Sequence, residues 1–191
     1  MNDFNSYISE LDYSDLKKLF LKKGTLRTYR KKEFFVRQDA KSRFVGWIDN
    51  GIFQYTYLDE ESTECIVGYS FPNEFVCDYS SFMREKASLV NIQAITDCIV
   101  RELSYHDVIE YLETNYETQR FGRLAAESLF EMTYKRLLDF YCTPETRYLK
   151  LMKRCPKLKE AVPLKSIASF LGVTPETVSH IRKKIRLKGK S

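Results

Sequence analysis

The chain has 191 residues, 43% hydrophobic and 14% aromatic, with a formal net charge of +5, which is enough for a real core. No apolar run reaches the length of a membrane span and the first twenty residues carry no export-signal pattern, so a cytoplasmic protein with no membrane partner is expected. Five scattered cysteines without a C-x-x-C pair argue against a disulfide framework or a metal site; two histidines, no nucleophile-elbow motif and no glycine-rich phosphate loop argue against an enzyme, and no cofactor is expected.

Residues 3–22 place Ile8, Leu11, Leu16, Leu19 and Phe20 at helical spacing, with Asp12 or Ser14 able to cap a second short helix. From about Thr25 to Leu103 short runs rich in branched and aromatic residues alternate with turn formers, which predicts a jelly-roll or barrel. Asn50-Gly51, between two such runs, reads as a hairpin turn. At Ser104 the period changes to helical, with Ser104 as N-cap and Asp107 at the capping-box position. Thr114 and Glu117 read as a second capping box, opening a long helix from about Tyr116 to Cys142. Phe121, Ala125 and Met132 lie on one face of it, and Leu129, Leu137 and Tyr141 nearer another. One stripe suffices to cover the β domain, so the other asks for a second copy of the helix and predicts a homodimer. Thr143-Pro144 ends this helix and forms a hinge. Thr146 to Lys153 reads as helical and Pro156 breaks it.

The stretch Leu164 to Lys184 has the pattern of a helix-turn-helix able to enter a DNA major groove. Ile167, Ala168 and Leu171 form the buried stripe of a first helix, and small Ala168 allows close approach of a second. Gly172 suits the left-handed turn, Thr174 supplies an N-cap hydroxyl, and Pro175 fills the first helical position. Val178 and Ile181 face back, leaving Glu176, Thr177, Ser179, His180 and Lys183 outward. An ordinary helical hairpin would share this pattern but would not need the charge beside it. Residues 145–191 hold 13 basic and 3 acidic side chains, against 18 and 23 in residues 1–144. The C-terminal part therefore suits a polyanion, with Arg182, Lys183, Lys184, Arg186, Lys188 and Lys190 continuing the second helix and tail.

The order of short helices, β-rich body, long helix, proline and C-terminal helix-turn-helix resembles the Crp/Fnr family of bacterial transcription regulators. The likeness is sharpest over Ile167 to Ser179, in Arg147-Tyr148-Leu149 with Pro156 and Val162-Pro163, and at Asn50-Gly51. It implies an α+β fold: an N-terminal β jelly-roll of the cyclic-nucleotide-binding type over residues 1–114, a dimerisation helix over 115–142, and a helix-turn-helix DNA-binding domain over 143–191. The chain stops soon after Lys184, so the wing is expected to be minimal or absent. The likeness also implies double-stranded DNA, a second copy of the chain and RNA polymerase as partners. By position, Glu176 would accept from a cytosine N4, Thr177 and Ser179 would lie near phosphates, and Lys165 would contact backbone. Thr174, Lys183 and Lys184 complete the expected DNA-binding set. His180 stands where the family usually has a guanine-reading arginine and has neither its reach nor its two-pronged fork, and Pro175 stands at another common arginine position.

On the effector side, cyclic-nucleotide binders of the family carry a Gly-Glu pair and a later Arg-Ser pair. Asn73-Glu74 stands at the first, where Glu74 could still reach a ribose hydroxyl, and Ser88 and Leu89 stand at the second. Without the arginine a cyclic phosphate loses its main charge-assisted contact, so no response to cyclic AMP is expected, although Arg84 or Lys86 could substitute if the loop folds back. Glu74, Ser88 and Leu89 remain the expected effector pocket, for an unknown small molecule if the jelly-roll is more than a scaffold. No cysteine precedes Cys65, so the family's iron-sulfur branch does not fit, and haem has no support. The alternative reading is a small-molecule sensor module whose helix-turn-helix is vestigial or contacts protein.

Overall fold

The computed structural model describes Asn5, residues 11–156 and residues 158–188; the side chain of Lys188 lies outside that description, as do Ile8 and Lys190. Helix α1 (Ser14–Lys23) follows Asp12, whose Oδ1 accepts the Ser14 N–H at 2.9 Å. The chain then runs through β1 (Thr25–Tyr29), β2 (Phe34–Val36), β3 (Phe44–Asn50), β4 (Phe53–Leu58), β5 (Glu64–Ser70), β6 (Phe75–Val76), α2 (Tyr79–Met83), β7 (Asn91–Ala94) and β8 (Cys98–Ser104). The strands make two four-stranded antiparallel sheets, ordered β1-β8-β3-β6 and β2-β7-β4-β5, which is the expected jelly-roll.

One turn differs from its sequence reading. β3 pairs with β6 and β8, and β4 with β5 and β7, so Asn50-Gly51 is a corner between the two sheets and not a hairpin. Gly51 has φ +95°, and a Cβ there would come within 2.5 Å of the Asp97 carbonyl oxygen. The local signal for a sharp turn was sound, while the partner of each strand is a tertiary choice. The hairpin proper joins β4 to β5, where Asp59 Oδ1 accepts the N–H groups of Glu61 and Thr63 at 3.0 and 2.8 Å.

The β1-β8-β3-β6 sheet is covered on both faces. Ile48, Val76 and Val100 point inward with Phe53 and Ile92 of the other sheet. Trp47, Phe75 and Leu103 point outward and are covered by Phe20 of α1 and Val108 of α3 (Tyr105–Leu112). Helix α3 opens with the predicted capping box: the Asp107 N–H reaches Ser104 Oγ, and the Ser104 N–H reaches Asp107 Oδ2.

Helix α4 (Tyr116–Asp139) starts one residue later than the Thr114/Glu117 reading requires. Asn115 caps it: Asn115 Oδ1 accepts the Thr118 N–H at 3.0 Å and Thr118 Oγ1 accepts the Asn115 N–H at 3.1 Å. Thr114 instead sends its hydroxyl back to the Glu110 carbonyl. The helix ends at Asp139, short of Cys142, in three successive i→i+3 turns through Phe140, Tyr141 and Cys142. Pro144 therefore starts a helix as much as it ends one, because Thr143 Oγ1 accepts the Thr146 N–H at 3.2 Å and caps α5 (Pro144–Arg154). Leu129 shares one face with Phe121 and Ala125, at i, i+4 and i+8, contrary to its assignment to the other stripe. None of the 24 residues of α4 is buried, and Phe130, Tyr134 and Leu137 are 73%, 52% and 55% exposed.

Helices α6 (Leu158–Ala161), α7 (Leu164–Leu171) and α8 (Pro175–Lys188) complete the order. The described residues of 7–130 pack as one compact unit and those of 131–188, with Asn5, as another, the division falling inside α4. No helix among the described residues is long and apolar enough to cross a membrane.

Within the first unit Glu102 is 5% exposed, facing the Tyr29 hydroxyl and 3.9 Å from Arg27. Burial raises its pKa above the ordinary carboxylate value, against the opposing effects of Tyr29 and Arg27. A carboxylate raised on folding stabilises below its unfolded pKa and loses that contribution as pH climbs through the folded value. Glu102→Gln is therefore expected to gain stability relative to the native protein between about pH 4 and pH 7, read by urea denaturation across that range.

Candidate nucleic-acid interface

Helix α7 buries Ile167, Ala168 and Leu171, as its spacing requires. It closes on Gly172 at φ 63°, ψ 41°, the left-handed conformation that glycine adopts at least cost. The Gly172 N–H donates to Ser169 O and the Val173 N–H to Ala168 O, both at 3.0 Å, which is the paired bonding of a Schellman turn. Thr174 then caps α8: its Oγ1 accepts the Thr177 N–H at 3.2 Å and lies 3.1 Å from the Thr177 hydroxyl. Val178 and Ile181 are buried and dock α8 on α7.

This arrangement leaves a polar ridge. Thr174, Glu176, Ser179, His180, Lys183 and Lys184 of the expected set are exposed on α8 and its cap, and Lys165 is exposed at the start of α7. Thr177 is half-buried and engaged with Thr174. Lys184 Nζ is paired with Glu145 Oε2 of α5 at 2.5 Å, so this cation is held by the protein itself. Arg182, counted with the basic run, is used internally as well: its Nε donates to Tyr148 Oη at 3.0 Å, tying α8 to α5.

Glu145 and Tyr148 were not singled out as partners of the second helix. A sequence signal existed, since Thr143-Pro144-Glu145-Thr146 and Thr174-Pro175-Glu176-Thr177 are the same tetrapeptide with the same cap. The first copy points its glutamate at Lys184, and the second leaves its glutamate exposed. The loop between α4 and α5 is braced by Lys150 Nζ, 2.6 Å from Asp139, and by the Arg147 guanidinium, 5.4 Å from the Phe140 ring.

The expected effector residues are dispersed. Glu74 is buried in the β5–β6 turn, where Oε2 accepts the Phe71 N–H at 2.9 Å. Ser88 is buried and donates to Asp78 Oδ2 and to Val90 O. Leu89 is 66% exposed, but its N–H donates to Asp78 Oδ2 at 2.9 Å. Arg84 and Lys86 are exposed. Asp78, absent from the expected set, gathers the Ser88 hydroxyl and the Leu89 N–H together with the hydroxyl and N–H of Ser81 at the start of α2, apart from Glu74. The signal was the Asp-x-x-Ser spacing of Asp78 and Ser81, an N-cap pattern.

Residues 26–115 match the sequence profile of the cyclic nucleotide-binding domain. No curated protein sequence matches the chain significantly. Among solved structures, FixK2 from Bradyrhizobium japonicum matches at TM-score 0.71 and 19% identity, over 87% of this chain and 86% of that one. The c-di-GMP responsive global regulator CLP of Xanthomonas campestris matches at 0.67 and 18%, over 92% and 93%. A CooA mutant from Carboxydothermus hydrogenoformans matches at 0.69 and 13%, over 97% and 85%. At these identities the likeness is one of fold.

Asp78→Ala strips the acceptor from Ser81, Ser88 and Leu89. The expected loss is about 1–3 kcal/mol, measured by urea denaturation, with Asp78→Asn losing less because its amide oxygen still accepts.

Proposed function

From the premise of a cyclic nucleotide-binding domain within the Crp/Fnr fold, we propose that this chain is a homodimeric, sequence-specific DNA-binding transcription regulator that does not respond to cyclic AMP. The observation that carries the reading is the exposed polar ridge of α8, set out by the Gly172 turn and flanked by basic residues. Glu176, Ser179 and His180 are the side chains for base edges, while Lys165 and Lys183 suit phosphates. A helix presenting Phe130, Tyr134 and Leu137 to solvent supports pairing through α4, and two recognition helices would then read half-sites about 34 Å apart.

The exclusion of cyclic AMP is supported by Asp78. Its carboxylate takes the Leu89 N–H and the Ser88 hydroxyl, the two groups at the positions expected to grip a cyclic phosphate. A phosphate entering there would meet a like charge in place of an arginine.

Anisotropy titrations of a selected palindromic duplex over a range of salt test this reading. Lys183→Ala is expected to weaken binding to all sequences alike and to lower the salt slope by about one. Glu176→Ala should cost roughly 1–3 kcal/mol of discrimination at one base pair. Glu145→Gln should release Lys184 and raise the slope. Salt-independent affinity, or affinity that none of these changes alters, overturns the proposal.

A further inference from the structure

Within the unit of residues 7–130 lies a cavity of about 110 Å³ that none of the expected effector residues lines. Its walls come from α1, the β-roll, α2, α3 and the first half of α4, and include Phe20, Phe75, Met83, Leu112, Phe121 and Leu129. Apart from backbone, the polar atoms among its lining residues are the hydroxyls of three tyrosines and the thiol of Cys77. No Lys, Arg, His, Asp or Glu is among them. The Tyr55 hydroxyl is already engaged, 3.0 Å from Ser70 Oγ and accepting the Cys77 N–H at 3.3 Å.

We propose that this cavity is a binding site for an uncharged, compact, apolar molecule of single-ring aromatic size. The lining chemistry decides the class. An anion or cation would be desolvated with no opposite charge to receive it, whereas an apolar ring gives up water at no such cost. Size agrees, since a dry cavity of roughly 150 Å³ lined by Leu, Ile and Phe takes up benzene. The titratable groups around it are screened from solvent: burial pushes the Cys77 thiol up to about 12 and raises the Tyr13 and Tyr55 hydroxyls as well. Shape is set where α3 meets α4, because a Cβ on Gly122 would come within 2.9 Å of Leu112 Cδ2. An occupant touches Phe82 and Met83 on α2, the helix that Asp78 caps, and Ala125 and Leu129 on α4, so it bridges α2 and the long helix. The proposal concerns binding alone and stands apart from the DNA-binding reading.

The test titrates the full chain, labelled with ¹³C-methyl methionine, with benzene and, separately, with benzoate. Benzene is expected to move the Met83 methyl resonance saturably, with a half-point at millimolar concentration or below. Met132 and Met152, which do not line the cavity, should hold still. Benzoate should leave Met83 unmoved. Ala125→Phe fills the space and should abolish the benzene response while keeping the native spectrum elsewhere; should that variant not fold, the Met83 response of the native chain decides alone. A Met83 signal unmoved by benzene, equally moved by benzoate, or moved as much in folded Ala125→Phe overturns the proposal.

Discussion

The left-handed turn at Gly172 is the constraint on which the C-terminal unit depends. It fixes where α8 leaves α7, and so which residues of α8 can dock and which must face out. The demand for glycine there is one of backbone conformation. The backbone sits at φ 63°, which side chains with a Cβ adopt only under strain, while the Phe140 ring in the loop after α4 lies at ordinary contact distance, 3.4 Å, from where a Cβ would be. Once the turn is set, Val178 and Ile181 are committed to the interior, and the residues between them have nowhere to go but solvent.

Elements whose signal is local were legible in the sequence. The Ser104–Asp107 box, the buried stripe of α7, the turn glycine and the Thr174 cap all appear where periodicity and cap chemistry put them. What failed were choices between partners. Asn50-Gly51 marks a sharp turn, but which strand follows it into which sheet is settled by the whole β-roll. Thr143-Pro144 signals a stop by the same chemistry that makes the identical pair at Thr174-Pro175 a start; proline restricts the residue before it and opens the helix after it, and both effects apply. Asp78 is not legible as the partner of Ser88 and Leu89 because it stands ten and eleven residues before them, and only the fold brings the three together. The cavity has no sequence signature at all, being the space left where five separate elements fail to meet.

The excess of basic residues in the C-terminal part is real, yet not every cation in it is available to a polyanion. Lys184 answers Glu145, Lys150 answers Asp139, and Arg182 lies against Tyr148. These three brace α5 against its neighbours, α4 at one end and α8 at the other. The field felt at a distance is the sum of all the charges, while on the proposed function the contacts at short range would fall to a smaller, exposed subset that includes Lys165 and Lys183. Long-range attraction and final affinity would then draw on different residues.

Helix α4 runs for 24 residues without burying one of them, and Phe130, Tyr134 and Leu137 on one flank are each more than half exposed. If two copies of that flank meet, the species able to span both half-sites forms in proportion to the square of the free chain. On the proposed function, operator occupancy at low abundance would then rise with the square of the chain's concentration and not in simple proportion to it. In such a circuit the rate at which the cell makes and destroys this chain is itself a regulatory input, and a hydrophobic strip on one helix sets the threshold.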